Sequence, residues 1–131
     1  MRRRLLGLAA LLAAPAWALA PAPLFRALGT AEGLPSAQVH DIAGDARGYV
    51  WFATADGLAR YDGHAFAVWR HDPADPASLP ADDVWAIAQA PDGAIWVGGY
   101  AAGLARIDAQ GKVRRLRRAA AVSVRRFRHL P

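Results

Sequence analysis

Between residues 38 and 70 the chain sets short apolar runs against turn residues at a strand-like spacing. "VHDIAGD" leads into "DARG"; "YVWFAT" follows, then "GLARYDG", and then "AFAVWR", which alternates large and small side chains. β-branched and aromatic residues favour pleated, half-buried surfaces, and the Gly, Asp and Pro clusters between the runs mark turns. Nothing in this stretch sustains a helical period for ten residues. The pattern predicts antiparallel strands over 38–44, 49–54, 57–61 and 65–70. A second set, over 83–89, 94–98 and 103–107, repeats three of them.

The two sets are copies of one unit. Leu34, Pro35, Val39, Ile42, Gly48 and Trp51 return 45 residues later as Leu79, Pro80, Val84, Ile87, Gly93 and Trp96. Beyond the tryptophan the offset is 46, and Gly57, Leu58, Ala59, Arg60 and Asp62 match Gly103, Leu104, Ala105, Arg106 and Asp108. One residue is inserted near Gly99 to Ala102, as a turn tolerates. A period of about 40–50 residues indicates propeller blades or helical arrays, and the strand signals select blades. The expected fold is therefore all-β: two four-stranded antiparallel β-propeller blades of an incomplete propeller. The repeated Gly48, Trp51, Gly57, Gly93, Trp96 and Gly103 are read as structural. The glycines serve tight turns and close strand approach, and the tryptophans are expected between adjacent blades. Val50, Phe52, Ile95 and Val97 are expected on the faces that two blades leave open.

Charge divides the chain. A net charge of +5 and a pI near 10.7 suggest an acidic partner. All 11 acids, however, lie between Glu32 and Asp108 with only four arginines, so the middle is acidic and the basic pI belongs to the ends. At the N-terminus "MRRR", "LLGLAALLAA" and the small residues of "AWALA" make the three parts of a secretory signal peptide. Pro21 disfavours a cut after Ala20, so cleavage is placed after Ala18. The apolar run from Leu5 to Ala20 is shorter than the roughly 20 residues of a spanning helix, and no later segment approaches that length. A periplasmic or secreted protein with no membrane span after cleavage is expected, and export argues against a nucleic-acid partner. The sequence has no cysteine, so no disulfide contributes to the fold.

"GLPSAQVHDIAGDARGYVWFATADGLARYDG" resembles the two-component regulator propeller repeat, with its Leu-Pro-Ser opening, Val-x-x-Ile strand, acid-and-glycine turn, Trp strand and Gly-Leu-x-Arg-Tyr-Asp close. "LPADDVWAIAQAPDGAIWVGGYAAGLARID" is a looser match, with Gly99 where the family usually has threonine and Ile107 in place of tyrosine. The resemblance covers Leu24 to about Lys112. It implies an extracytoplasmic sensing module of the kind found in hybrid histidine kinases and diguanylate cyclases. Such modules are arrays of blades ahead of a β-sandwich, a membrane helix and a cytoplasmic output domain. It also implies ligands such as oligosaccharides at a propeller face. The chain is read as a non-catalytic, ligand-sensing fragment of such a receptor. The alternative is a fragment of an exported propeller enzyme, a carbohydrate-active hydrolase or lyase.

The resulting organisation is a signal peptide over 1–18, a lead-in over 19–33, blade repeats over 34–78 and 79–111, and a basic tail over 112–131. "KVRRLRR" aligns with the first unit's fourth strand, but the residues after it lack the Asp-Pro character of the first linker. The tail is read as the product of a lost frame or shortened gene, over a disordered tail or a basic patch for anionic lipid or polysaccharide. Arg60, Tyr61, Tyr100 and Arg106, placed near turns, are the candidate ligand contacts, able to hydrogen-bond or stack on a sugar. None of His40, His64, His71 and His129 has metal-ligand spacing, and His64 and His71 are expected in solvent. Asp82 and Asp83 are read as solubilising. No nucleophile elbow, phosphate loop or paired carboxylates stand out, so neither catalysis nor a cofactor or metal is expected. Two blades leave two faces unburied, so the chain alone is expected to be marginal or to self-associate through them.

Overall fold

A computed structural model describes residues 21–100 and 103–116. The signal peptide over 1–18 and the tail beyond residue 116 lie outside these residues. After an extended lead-in and a 3-10 turn at Thr30–Glu32, four strands follow: β1 (Val39–Gly44), β2 (Val50–Thr54), β3 (Gly57–Tyr61) and β4 (Phe66–Trp69). They form one sheet in the order β1-β2-β3-β4, every neighbour antiparallel. β5 (Ala86–Gln89), β6 (Ile95–Gly99), β7 (Gly103–Ile107) and β8 (Val113–Leu116) repeat that meander in a second sheet. The described part of the chain is all-β, and each sheet is a propeller blade.

Two boundaries differ from the sequence reading. β5 starts at Ala86 rather than residue 83, because the segment before it is shared between the sheets. The Val84 N–H donates to the Thr54 carbonyl of the first blade at 3.0 Å, while the Trp85 N–H donates to Gly98 of the second at 2.8 Å. The second blade also does not close at residue 111. β8 lies within the segment assigned to a basic tail, and Val113, paired with Ile107, is buried in the core. The repeat therefore runs through Leu116.

Register assigns each side chain to a face, since directly opposed residues share one. In the first blade one face carries Ala43, Trp51, Ala53, Leu58, Arg60 and Trp69. In the second blade the face carrying Ile87, Ile95, Val97, Ala105, Ile107 and Val113 lies opposite. These two faces meet, with Leu79 of the linker, in a single core that contains Trp51, Ala53, Leu58, Leu79, Val84, Ile95, Val97, Ala105, Ile107 and Val113. Trp51 thus lies between the blades, stacked on Trp69 at 5.2 Å between ring centroids.

The expected open-face residues divide accordingly. Val50 and Phe52 are on the first blade's outer face, but Ile95 and Val97 are 1% and 3% exposed, sealed against the first blade. Trp96 holds the same register as Trp51, opposite an alanine and an arginine. It faces away from the first blade instead of between two blades. Equivalent residues point in the same rotational sense in every blade. Two stacked blades therefore bury opposite faces, not the same one.

Gly57 shows how tightly strands and linker meet. Its φ of +119° lies in the left-handed region, a Cβ there would sit 2.5 Å from the Trp69 carbonyl oxygen, and its N–H reaches the Asp82 carbonyl of the linker. Gly48 has φ +86° but open space where a Cβ would go. Gly48→Ala should cost only the backbone strain, about 1–2 kcal/mol. Gly57→Ala adds a backbone collision and should cost clearly more in urea unfolding. Equal losses would show that the close approach at Gly57 contributes nothing.

Candidate functional site

The register sets the two ends of the blades. The β2–β3 and β6–β7 turns, where Thr54 pairs with Gly57 and Gly99 with Gly103, lie at one end together with the inter-blade linker. The β1–β2 and β3–β4 turns lie at the other. Of the four candidate contacts, Tyr100 is at the linker end. Tyr61, which pairs with Val50, and Arg60 and Arg106, which pair with Trp51 and Trp96, are toward the opposite end. The four do not share a surface.

Three of them are engaged within the blades. The Arg106 guanidinium donates to the Asp92 carboxylate at 2.6 Å, and the Tyr61 hydroxyl donates to the Gly63 carbonyl at 2.9 Å. The Arg60 guanidinium carbon lies 4.6 Å from the Tyr49 ring centroid, 5.6 Å from Trp51 and 5.5 Å from Trp69. Aromatic faces stabilise this cation. Its buried Nε has no hydrogen-bond partner among the described residues.

Tyr100 is 79% exposed and belongs to a surface cluster. Its ring meets Trp85 edge-on at 4.9 Å, and Trp85 in turn stacks on His40, ring centroids 3.9 Å apart and planes within 9°. Asp83 ties the stack together: Trp85 Nε1 donates to one of its oxygens at 2.8 Å, and His40 Nε2 lies 3.1 Å from the other. His40 and Trp85 are equivalent residues, 45 apart, each following the repeated valine. Consecutive blades thus place rings one above the other where β1 and β5 begin. Beside them a shallow, solvent-open recess is lined by Leu79, Pro80, Asp83, Val97, Gly99 and Gly103. The recess lies where the second blade has Gly99. The corresponding Thr54 is fully buried and donates to the Gly57 carbonyl at 2.8 Å. With room for about one water molecule, the recess is a surface feature and not an enclosed pocket. Exposed aromatic faces beside a carboxylate suit a molecule with both C–H and O–H groups.

Sequence reasoning singled out Tyr100 as a ligand contact, but weighed His40 only for a metal site and Asp83 only as solubilising, and gave Trp85 no role. The available signal was the ring at the same repeat position in both copies. Asp82 and Asp83, read as solubilising, instead join the blades. Asp82 accepts the His71 N–H at 2.7 Å through its side chain and the Gly57 N–H through its carbonyl. His64 is exposed as expected, but His71 is half-buried, and its Nδ1 donates to the Leu79 carbonyl at 2.6 Å. Arg115 of β8 closes over the same linker, donating to the Ser78 carbonyl at 2.7 Å, Ser78 Oγ at 2.8 Å and the Asp75 carbonyl at 2.9 Å. Among the described residues no group of three or more His, Cys, Asp or Glu could hold a metal ion, and no helix is long and apolar enough to cross a membrane.

Several turn carboxylates are held in their ionised form. Partial burial would raise the pKa of Asp45, but donation from Trp51 Nε1 and the Tyr49 and Arg47 backbones, with the Arg47 charge, outweighs it and leaves it below 3.8. Backbone donors at Ala65 and His64 lower Asp62, and the Ala94 N–H with the Arg106 side chain lowers Asp92.

Residues 33–56 and 78–101 match the family model described as two component regulator propeller. Histidine kinase P4 of Formosa agariphila is 38% identical over 56 residues, which cover 43% of this chain and 4% of that protein. The extracellular domain of a hybrid two component system from B. thetaiotaomicron superposes with a TM-score of 0.41 and 23% identity, over 70% of this chain and 20% of that domain. The chain therefore spans a small part of the length of either protein.

The lowered carboxylates set a pH dependence. A carboxylate whose folded pKa is depressed contributes stability that is complete above its unfolded value and is lost as pH falls through the folded value. The urea midpoint should therefore be flat around neutrality and fall below about pH 4. Asp45→Asn should reduce that acid-dependent fall by removing one of the contributing groups. A midpoint unchanged on acidification, or an unchanged fall in the variant, would contradict this assignment.

Proposed function

From the two stretches, residues 33–56 and 78–101, that match the two component regulator propeller model, we propose that this chain is an extracytoplasmic, ligand-sensing portion of a signalling receptor and is not itself catalytic. Two features support the reading. The repeats keep their order and spacing in both copies, and the first 18 residues have the pattern of an export signal. The output domain of such a receptor would be a histidine kinase or a cyclic-dinucleotide cyclase, and this chain would supply blades to its sensing propeller.

The ligand class that the resemblance implies is an oligosaccharide, and the exposed Trp85 and Tyr100 rings beside Asp83, backed by the nearly buried His40 ring, are the surface with the matching chemistry. A pyranose presents an axial C–H face that packs on an aromatic ring and hydroxyls that donate to a carboxylate. Tyr100 offers the most accessible ring, Trp85 is 38% exposed, and Asp83 stands at the edge of the recess. Of the residues singled out in the sequence, Tyr100 is the one retained as a ligand contact. Arg60, Tyr61 and Arg106 are assigned to the blades.

Titration of the full chain with a panel of neutral and uronate-containing oligosaccharides, followed by tryptophan fluorescence, tests this proposal. At least one should bind saturably, and Trp85→Ala and Tyr100→Ala should each weaken binding about tenfold or more, the loss of a hot-spot aromatic. Absence of binding across the panel, or binding unaffected by both substitutions, would overturn the assignment of the ligand surface.

A further inference from the structure

The two blades treat the same arginine differently. In the second blade Arg106 donates to Asp92 at 2.6 Å, and Asp92 also accepts the Ala94 N–H of its turn at 3.0 Å. The repeat puts Arg60 in the place of Arg106 and Arg47 in the place of Asp92. The first blade thus sets a second cation where its copy has the counterion. Its turn is capped by Asp45 instead. One Asp45 oxygen accepts the Arg47 and Tyr49 N–H groups at 2.8 and 3.0 Å, and the other accepts Trp51 Nε1 at 2.9 Å. Both oxygens are therefore engaged, and the charge of Asp45 is offset by that of Arg47.

Arg60 keeps its charge without a carboxylate. All 11 acidic side chains of the chain fall among the described residues, and none forms an ion pair with it. Its guanidinium rests against Tyr49, Trp51 and Trp69, and Arg47 lies 5.4 Å from the centroid of the same Tyr49 ring. Aromatic faces attract a cation but give its N–H groups no strong acceptor, and the buried Arg60 Nε has none among the described residues. The second blade walls the place on its other side. Arg47 donates to the Ala109 carbonyl and Trp69 Nε1 to the Gly111 carbonyl, each at 2.9 Å. Both walls belong to the described chain, at the end of the blades opposite Tyr100.

We propose that Arg60, with Arg47 beside the same ring, binds a small carboxylate monoanion, which supplies to the first blade what Asp92 supplies to the second. The chemistry selects this class. A guanidinium is a planar fork that matches a carboxylate with two parallel hydrogen bonds. Asp45 offsets one of the two cations, so the place is balanced by a single negative charge. A dianion such as sulfate would bring an excess charge up to Asp45. A free organic acid and a sugar acid share the required group.

The full chain is titrated with acetate or glucuronate at an ionic strength held constant with chloride. The readout is the arginine Nε–H and tryptophan indole N–H signals in nitrogen–proton NMR spectra. The Arg60, Trp51 and Trp69 signals should shift saturably, with a Kd on the order of 1 mM. Arg47→Asp gives the first blade the pair of the second, and should weaken binding about tenfold or more by giving Arg60 an internal partner. The second blade already holds this turn with an aspartate, so the variant should fold. If its spectrum loses dispersion, Arg60→Lys is the substitute, read at the indole signals, with the same loss because an ammonium makes no fork. Trp85→Ala should leave the response unchanged, which separates this site from the proposed oligosaccharide surface. Tighter binding of glucuronate would identify the ligand as a sugar acid, equal binding as any small organic acid, and both uphold the site. Absence of a saturable shift, no preference over sulfate, or a response lost in Trp85→Ala would overturn the proposal. A response that survives Arg47→Asp or Arg60→Lys undiminished would also do so.

Discussion

Each of these four-stranded meanders carries apolar side chains on both faces and cannot bury both by itself. The rest of this structure depends on that constraint. Where the two blades meet, one covers the Trp51 face of its neighbour with Ile95, Val97, Ala105 and Ile107, each 3% exposed or less. Burying a large aliphatic side chain stabilises by roughly 1.5–3 kcal/mol, so this seam holds most of the apolar stabilisation that two sheets can share. The linker takes part in the same seam, since Leu79 is fully buried within it.

Polar contacts position the seam more than they stabilise it. Gly57 donates to Asp82, Val84 to Thr54, Trp69 to Gly111 and Arg47 to Ala109, so backbone carbonyls of one unit accept from the other along the whole length of the sheets. Asp41 adds a carboxylate that accepts from the Ile87 N–H at 2.9 Å. Net contributions of about 1 kcal/mol each are modest, but each also fixes register, which apolar packing alone leaves loose. Arg115 does the same for the linker, gathering three carbonyls and a hydroxyl around one guanidinium.

The ring stack at the linker end follows from the same geometry. When two copies of one repeat lie side by side, equivalent positions become neighbours, and His40 and Trp85 meet because each follows the same valine. A repeat thereby converts a one-residue feature into a surface that extends from blade to blade.

Much of this was legible in the residues. The strand runs, the 45-residue period with its single inserted residue, the glycines at turns and the shared place of Trp51 and Trp96 are local or periodic properties. Local propensity and repetition record them directly. The direction in which each face points is not local. It required the register to show that Ile95 and Val97 are sealed while Trp96 is turned outward, and that Val113 and Arg115 belong to a blade and not to a tail. The candidate contacts show the same limit. Arg60, Tyr61 and Arg106 are suitable residue types at turn-like positions, yet their partners Tyr49, Gly63 and Asp92 come from other strands or turns and engage them within the blades. Sequence determined the blades, because each needs only its own alternation. Tertiary structure alone decided which faces remain open and which rings meet, because both depend on the placement of one sheet against another.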